Sequence, residues 1–204
     1  MKAPLISISI LALFAGVASH AQTPPMDWKG PYVSLGASQT KVSYSASAGY
    51  SPAKASGAGA SLIFGYNFRY DTLVYGPEFL ANFSDIKGSS SSCGTVASCT
   101  SNIENYLAAR IRVGYALDSA LVFGTIGVAF DEQNQRVTGA SDPSKRHRGV
   151  SLGLGAELPV APNLSARAEI EYYRFDRKTY NLGFGPVEIR PKFTAARLGL
   201  SYNF

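Results

Sequence analysis

Eight stretches of the chain have the pattern of strands, and in seven of them large apolar residues alternate with small or polar ones. A period of two demands a sheet with two unlike faces. The closing stretch is the clearest. Thr194, Ala196, Leu198, Leu200, Tyr202 and Phe204 share one face, and Phe193, Ala195, Arg197, Gly199, Ser201 and Asn203 share the other. The earlier strands are expected near 32–44, 57–68, 73–84, 103–115, 120–130, 148–158 and 164–175. The fifth is apolar on both faces, and Val122, Ile126, Val128 and Phe130 are assigned to its outer set. Pro77 falls inside the third strand, where it removes a ladder hydrogen bond, so a bulge or a break is expected there.

The connections alternate in length. Short turns are expected near 69–72, 116–119 and 159–163. Long loops are expected near 45–56, 85–102, 131–147 and 176–191. Short turns on one rim and long loops on the other are the plan of an up-and-down membrane barrel. An even strand number puts both termini on the short-turn side.

Charge decides which face points out. The small or polar faces carry Glu78, Arg110, Arg112, Glu157, Arg167, Glu169, Glu171 and Arg197, four acids and four bases. In a soluble barrel these would be solvated and the apolar face would be the core. In a membrane barrel the order is inverted, because lipid is the outer solvent. Tyr66, Phe68, Tyr75, Phe83, Tyr115, Tyr202 and Phe204 stand near the ends of the apolar faces, where interfacial rings belong. The predicted fold is therefore an all-β, eight-stranded antiparallel transmembrane barrel with four long extracellular loops. Eight strands leave room for side chains only. The matched charges are expected to pair inside as a plug, leaving at most a very small conductance.

The first residues fit export. Met1-Lys2, an apolar run from Leu5 to Val17 and Ser19-His20-Ala21 read as a signal peptide over 1–21, with an uncleaved anchor helix as the rival. Residues 22–30 would form a periplasmic segment and 31–204 the barrel. Cys93 and Cys99 are the two cysteines. They lie in a Ser/Gly-rich stretch, and in an oxidising compartment they are expected to close a small disulfide loop.

No catalytic constellation, metal-ligand spacing or cofactor motif is evident. His147, beside Arg146 and Arg148, reads as a loop cation. Glu169 and Glu171 share a face with Arg167 and read as an ion-pair network rather than paired catalytic acids. Net charge is +5, with the cations scattered. That argues against nucleic acid and makes lipopolysaccharide a plausible neighbour of Lys145, Arg146, Arg148, Arg177 and Lys178 in predicted loops.

Several segments carry a family likeness. They are Trp28-Lys29-Gly30-Pro31-Tyr32-Val33, Tyr75-Gly76-Pro77-Glu78, Ala108 to Tyr115 with its two arginines, and Arg197 to the terminal Phe204. The chain resembles the small outer-membrane barrels known as the porin family or opacity-type surface antigens, similar in plan to the transmembrane domain of outer-membrane protein A. The likeness covers the whole mature chain. It implies an outer-membrane location in a Gram-negative bacterium and a structural or surface role. It also implies that the barrel-assembly machinery reads Leu198, Leu200, Tyr202 and Phe204. Two alternatives stand beside this role. One is a narrow solute channel. The other is an adhesion or ligand-binding module meeting a host or environmental ligand through exposed Tyr44, Tyr50, Tyr180 and Phe184.

Overall fold

The computed structural model describes residues 26–47, 52–91, 93, 98–137, 140–141, 145–181 and 186–204. Ten strands form one antiparallel sheet: β1 (Gly30–Ala46), β2 (Ala55–Tyr70), β3 (Leu73–Ser90), β4 (Cys99–Ala116), β5 (Leu121–Val137), β6 (Ala140–Ser141), β7 (Lys145–Ala161), β8 (Leu164–Phe175), β9 (Lys178–Asn181) and β10 (Pro186–Asn203). Eight of them make a closed ring in the order β1-β2-β3-β4-β5-β7-β8-β10, and β10 returns to β1. β6 extends the edge of β5, and β9 continues the β8 ladder against β10. Closure leaves the ring no free edge, which a sheet surrounded by lipid requires.

The alternation places every face as the sequence predicts. Leu35, Phe64, Phe79, Ile111, Ile126, Leu152, Leu154, Ile170 and Leu200 all point outward and are at least half exposed. The fifth strand is resolved too: Val122, Ile126, Val128 and Phe130 face out, while Leu121, Phe123, Thr125 and Ala129 face in. Among the described residues no helix is long and apolar enough to cross a membrane. This apolar outer wall, by contrast, runs around the ring.

One expectation needs correction and another is narrowed. The strands on the long-loop rim run further than the apolar alternation does. Residues 85–90, 99–102, 131–137, 145–147 and 186–191 are strand, not loop. Beyond the apolar wall the outer face has no need to be apolar, so the pattern fades while the hydrogen-bond ladder continues. Of the bulge or break expected at Pro77, only a break occurs, and on one side. The pairing of Pro77 with Ile111 on β4 is in register, and the β2 ladder only lapses between Gly65↔Glu78 and Phe68↔Tyr75 and resumes unshifted. The bulge on this strand lies higher, between Phe83 and Ile86.

The short turns close where local backbone allows. Asp71 and Asn163 take positive φ values of 55° and 62°, the left-handed region that Asn and Asp tolerate best after glycine. Both described ends of the chain meet at this rim, where the Phe204 amide donates to the Pro31 carbonyl at 3.0 Å.

Candidate functional site

The lumen is the most chemically loaded part of the molecule. Inward parity on β3, β4, β7, β8 and β10 aims Glu78, Arg110, Arg112, Glu157, Arg167, Glu169, Glu171 and Arg197 at one axis, and each is buried. Arg167 lies at the centre. It reaches Glu78 at 3.0 Å, Glu157 at 3.2 Å and Glu169 at 2.7 Å. Arg110 holds Glu78 at 2.8 Å and Glu171 at 2.5 Å, and also pairs with Glu169. Arg197 closes the upper end on Glu171 at 2.8 Å and donates to the hydroxyls of Tyr106 (2.9 Å) and Tyr173 (2.5 Å).

Arg112 is held differently. Its guanidinium lies 2.8 Å from Glu157, 4.0 Å from the Phe123 ring centre and 5.4 Å from that of Tyr32. Arg167 covers the same Phe123 ring at 4.5 Å. A ring face attracts a desolvated cation, which helps offset its burial. Tyr32 donates its hydroxyl to Glu78, and Ser165 donates to Glu157 at 2.8 Å. Gly65 makes the Tyr32 position possible, since a Cβ there would sit 2.3 Å from the tyrosine ring. Gly155 does the same for Phe123, at 2.4 Å.

Apolar layers cap the network. Trp28, Val74, Ala116 and Leu121 fill the short-turn end, so the segment before β1 is partly packed into the barrel mouth. Tyr106, Tyr173, Phe175 and Phe193 pack edge-on, tilted or stacked above the charges. Higher still, Ala53, Tyr180, Val187, Ile189 and the bonded pair Cys93–Cys99 form a further cluster. The two cysteines are joined with their Cα atoms 6.2 Å apart.

A closed ring with an apolar outer wall and a charged, sealed interior is the arrangement that lipid imposes. The model of the outer membrane protein β-barrel domain matches residues 9–204.

The chain belongs to this outer-membrane barrel family.

It is 30% identical over 189 residues to the 25 kDa outer-membrane immunogenic protein of Brucella abortus, across 89% of this chain and 81% of that one. In fold it is similar to the outer-membrane protein OprG of Pseudomonas aeruginosa, with a TM-score of 0.60, 16% identity, and 90% and 98% of the two chains covered. It is likewise similar to Ail of Yersinia pestis in complex with the heparin analogue sucrose octasulfate, with a TM-score of 0.54, 18% identity, and 86% and 99% covered.

As an outer-membrane barrel, the chain shows its short turns to the periplasm and its long strands to the outside. On the extracellular side His147 is not a loop cation. It lies in β7, fully buried, with Nε2 2.9 Å from the Tyr180 hydroxyl and Nδ1 3.3 Å from an Asp176 carboxylate oxygen. Its neighbours Arg146 and Arg148 face outward and are exposed, so this level lies above the hydrocarbon. Burial pushes the imidazole below its usual pKa, against the opposing pull of Asp176. Tyr180 is therefore also buried, and Tyr44 is half-buried and turned inward. Neither is the exposed contact that the sequence suggested, and Tyr50 and Phe184 lie outside the described residues.

Arg146, Arg148 and Lys178 belong to strands rather than loops, as does Lys145. Lys178 pairs with Asp176 at 3.2 Å and Arg177 with Glu188 at 3.3 Å. On the terminal strand, Leu198, Leu200, Tyr202 and Phe204 are exposed on the lipid face. Among the described residues no cluster of His, Cys, Asp and Glu could hold a metal ion.

Sequence analysis named Trp28 and Tyr32 only for the family likeness, and did not assign them, Phe123, Tyr106 or Ser165 to the lumen. For Tyr32, Phe123, Tyr106 and Ser165, inward parity was the available signal.

Proposed function

We propose that this outer-membrane protein is a sealed, structural barrel that anchors and displays its extracellular side and neither conducts nor catalyses. The observation that carries this is the lumen, where all eight charges of the central network are at most 5% exposed between apolar caps. An open path would need several of these pairs to part in a region without water to replace them. The mature chain would begin at Gln22 after loss of residues 1–21. Leu198, Leu200, Tyr202 and Phe204 would present the closing strand to the assembly machinery. Planar-bilayer recording of the purified barrel tests the central claim. The expected trace has no steady open state, and a stable ohmic conductance would overturn it.

Attachment through the extracellular side is a second reading, supported by the fold shared with Ail in its complex with a heparin analogue. It predicts that grafting the four loops onto an unrelated eight-stranded barrel transfers surface binding.

A further inference from the structure

Just above the apolar wall, one sector of the barrel carries four outward-facing cations on four neighbouring strands. They are Lys41 on β1, Lys192 on β10, Arg174 on β8 and Arg148 on β7. The register sets them in one tier. Ser43 faces Lys192, so Lys41 is its diagonal neighbour. Lys192 faces Arg174 directly. Arg174 faces Val150, and Arg148 lies two residues beyond on the same face. Two acids of this rim are taken: Asp176 by Lys178 and His147, and Glu188 by Arg177. Among the described residues none of the four cations has an acid partner. The far wall differs, since Lys87 there is matched by Asp85 at 2.5 Å.

Like charges directly opposite each other across a ladder are destabilising. Lys192 and Arg174 therefore need an anion between them, and no described side chain supplies one. The four cations also point sideways from the wall, not upward from loop tips. Directly below Arg148 and Arg174 the outer face continues as Val150, Tyr172, Leu152 and Ile170, all exposed, and below Lys192 and Lys41 it passes Thr194, Gln39 and Ala196 before reaching Leu198. Strands ~4.8 Å apart make the tier about 14 Å wide, enough for more than one anionic group. An arginine fork suits the oxygens of a phosphate.

We propose that this sector is a binding site for the phosphates of a phosphorylated glycolipid of the outer leaflet. Arg174 and Lys192 share one phosphate, and Lys41 and Arg148 flank it. The acyl chains run down the apolar wall between Val150 and Leu198. A membrane lipid is the occupant, and not a soluble polyanion, because the cations sit at the height where a headgroup emerges from that wall.

The test uses the mature full-length barrel in detergent micelles, titrated with a bisphosphorylated lipid A and read by native mass spectrometry. The Arg174→Gln/Lys192→Gln variant should hold the glycolipid about 25-fold more weakly, at roughly fivefold per surface charge. Lys41→Gln/Arg148→Gln should weaken it less, and Lys87→Gln should leave it unchanged. Dephosphorylated lipid A should bind the parent barrel as weakly as the first variant binds the parent lipid. In lipid-free micelles the first variant should resist urea better than the parent, because a repulsion is gone, and that order should reverse with glycolipid present. Equal retention by the first variant, or equal binding of the dephosphorylated lipid, would overturn the site. Displacement by sucrose octasulfate at matched concentration would overturn the lipid as its occupant.

Discussion

The lumen is filled in two ways. Its middle layer consists of eight charges on β3, β4, β7, β8 and β10, and its upper layer of four rings, Tyr106, Tyr173, Phe175 and Phe193. Rings accept many apolar neighbours at small cost, so the upper layer fills space and tolerates repacking. A buried charge does not tolerate it, because losing one partner leaves the other uncompensated. The charged layer therefore selects one arrangement of strands, and the aromatic layer seals whatever arrangement is chosen.

The largest expected effect falls on the charged side. Arg167→Met removes the contact shared by Glu78, Glu157 and Glu169, and should cost about 4 kcal/mol, read as the urea midpoint of the refolded barrel. Adding Glu78→Met should recover much of that loss, since an apolar pair needs no compensation. A cost no greater than that of a ring deletion, with no recovery in the double variant, would erase the contrast.

Phe193→Ala comes next, at about 3 kcal/mol from lost contacts and the cavity left behind. Phe193→Leu should return most of it, because Phe193, unlike Tyr106 and Tyr173, meets no charge and supplies only apolar volume. If Phe193→Leu is as damaging as Phe193→Ala, the rings are specific too and the distinction needs redrawing.

The smallest effect is one of pH, and it separates both layers from the cap above them. His147 is faced by Asp176 and Lys178 beyond the end of β8 and by Asp131 across the β5–β7 ladder. Burial holds its pKa below the usual ~6.5. The folded cap thus takes up a proton less readily than the unfolded chain. Stability is full above about pH 6.5 and declines as pH falls from there towards the lower folded value, below which the loss levels off. Hydrogen exchange at Tyr180 and Val187 should accelerate between pH 7.5 and 5, relative to the intrinsic rates, and His147→Gln should flatten the response. Unchanged protection across that range would mean that His147 does not latch the cap.

The ring, its faces and the eight charges of the central network were legible because a two-residue period survives in single residues of each strand. Arg110, Arg112, Glu169 and Glu171 could be placed inward by parity alone. Strand length was not legible, since Ser89, Ser101 and Gln135 continue a ladder without continuing an apolar pattern. His147 was misplaced because two flanking arginines make a solvated neighbourhood in sequence, although parity turns the histidine inward and them outward. The facing of Lys192 and Arg174 depends on the register between two strands separated by β9 and its flanking loop, and that register follows from closure of the ring.

The charges of β8 also constrain how the protein is made. Arg167, Glu169 and Glu171 find partners on the adjacent β7 and β10 and also across the lumen on β3 and β4, which lie far from β8 in the ring. A hairpin of β7 and β8 crossing the bilayer alone would carry unmatched charges through hydrocarbon, a costly passage. Crossing and circularisation are therefore a single event for this chain, and a half-inserted sheet is not a resting place on its route.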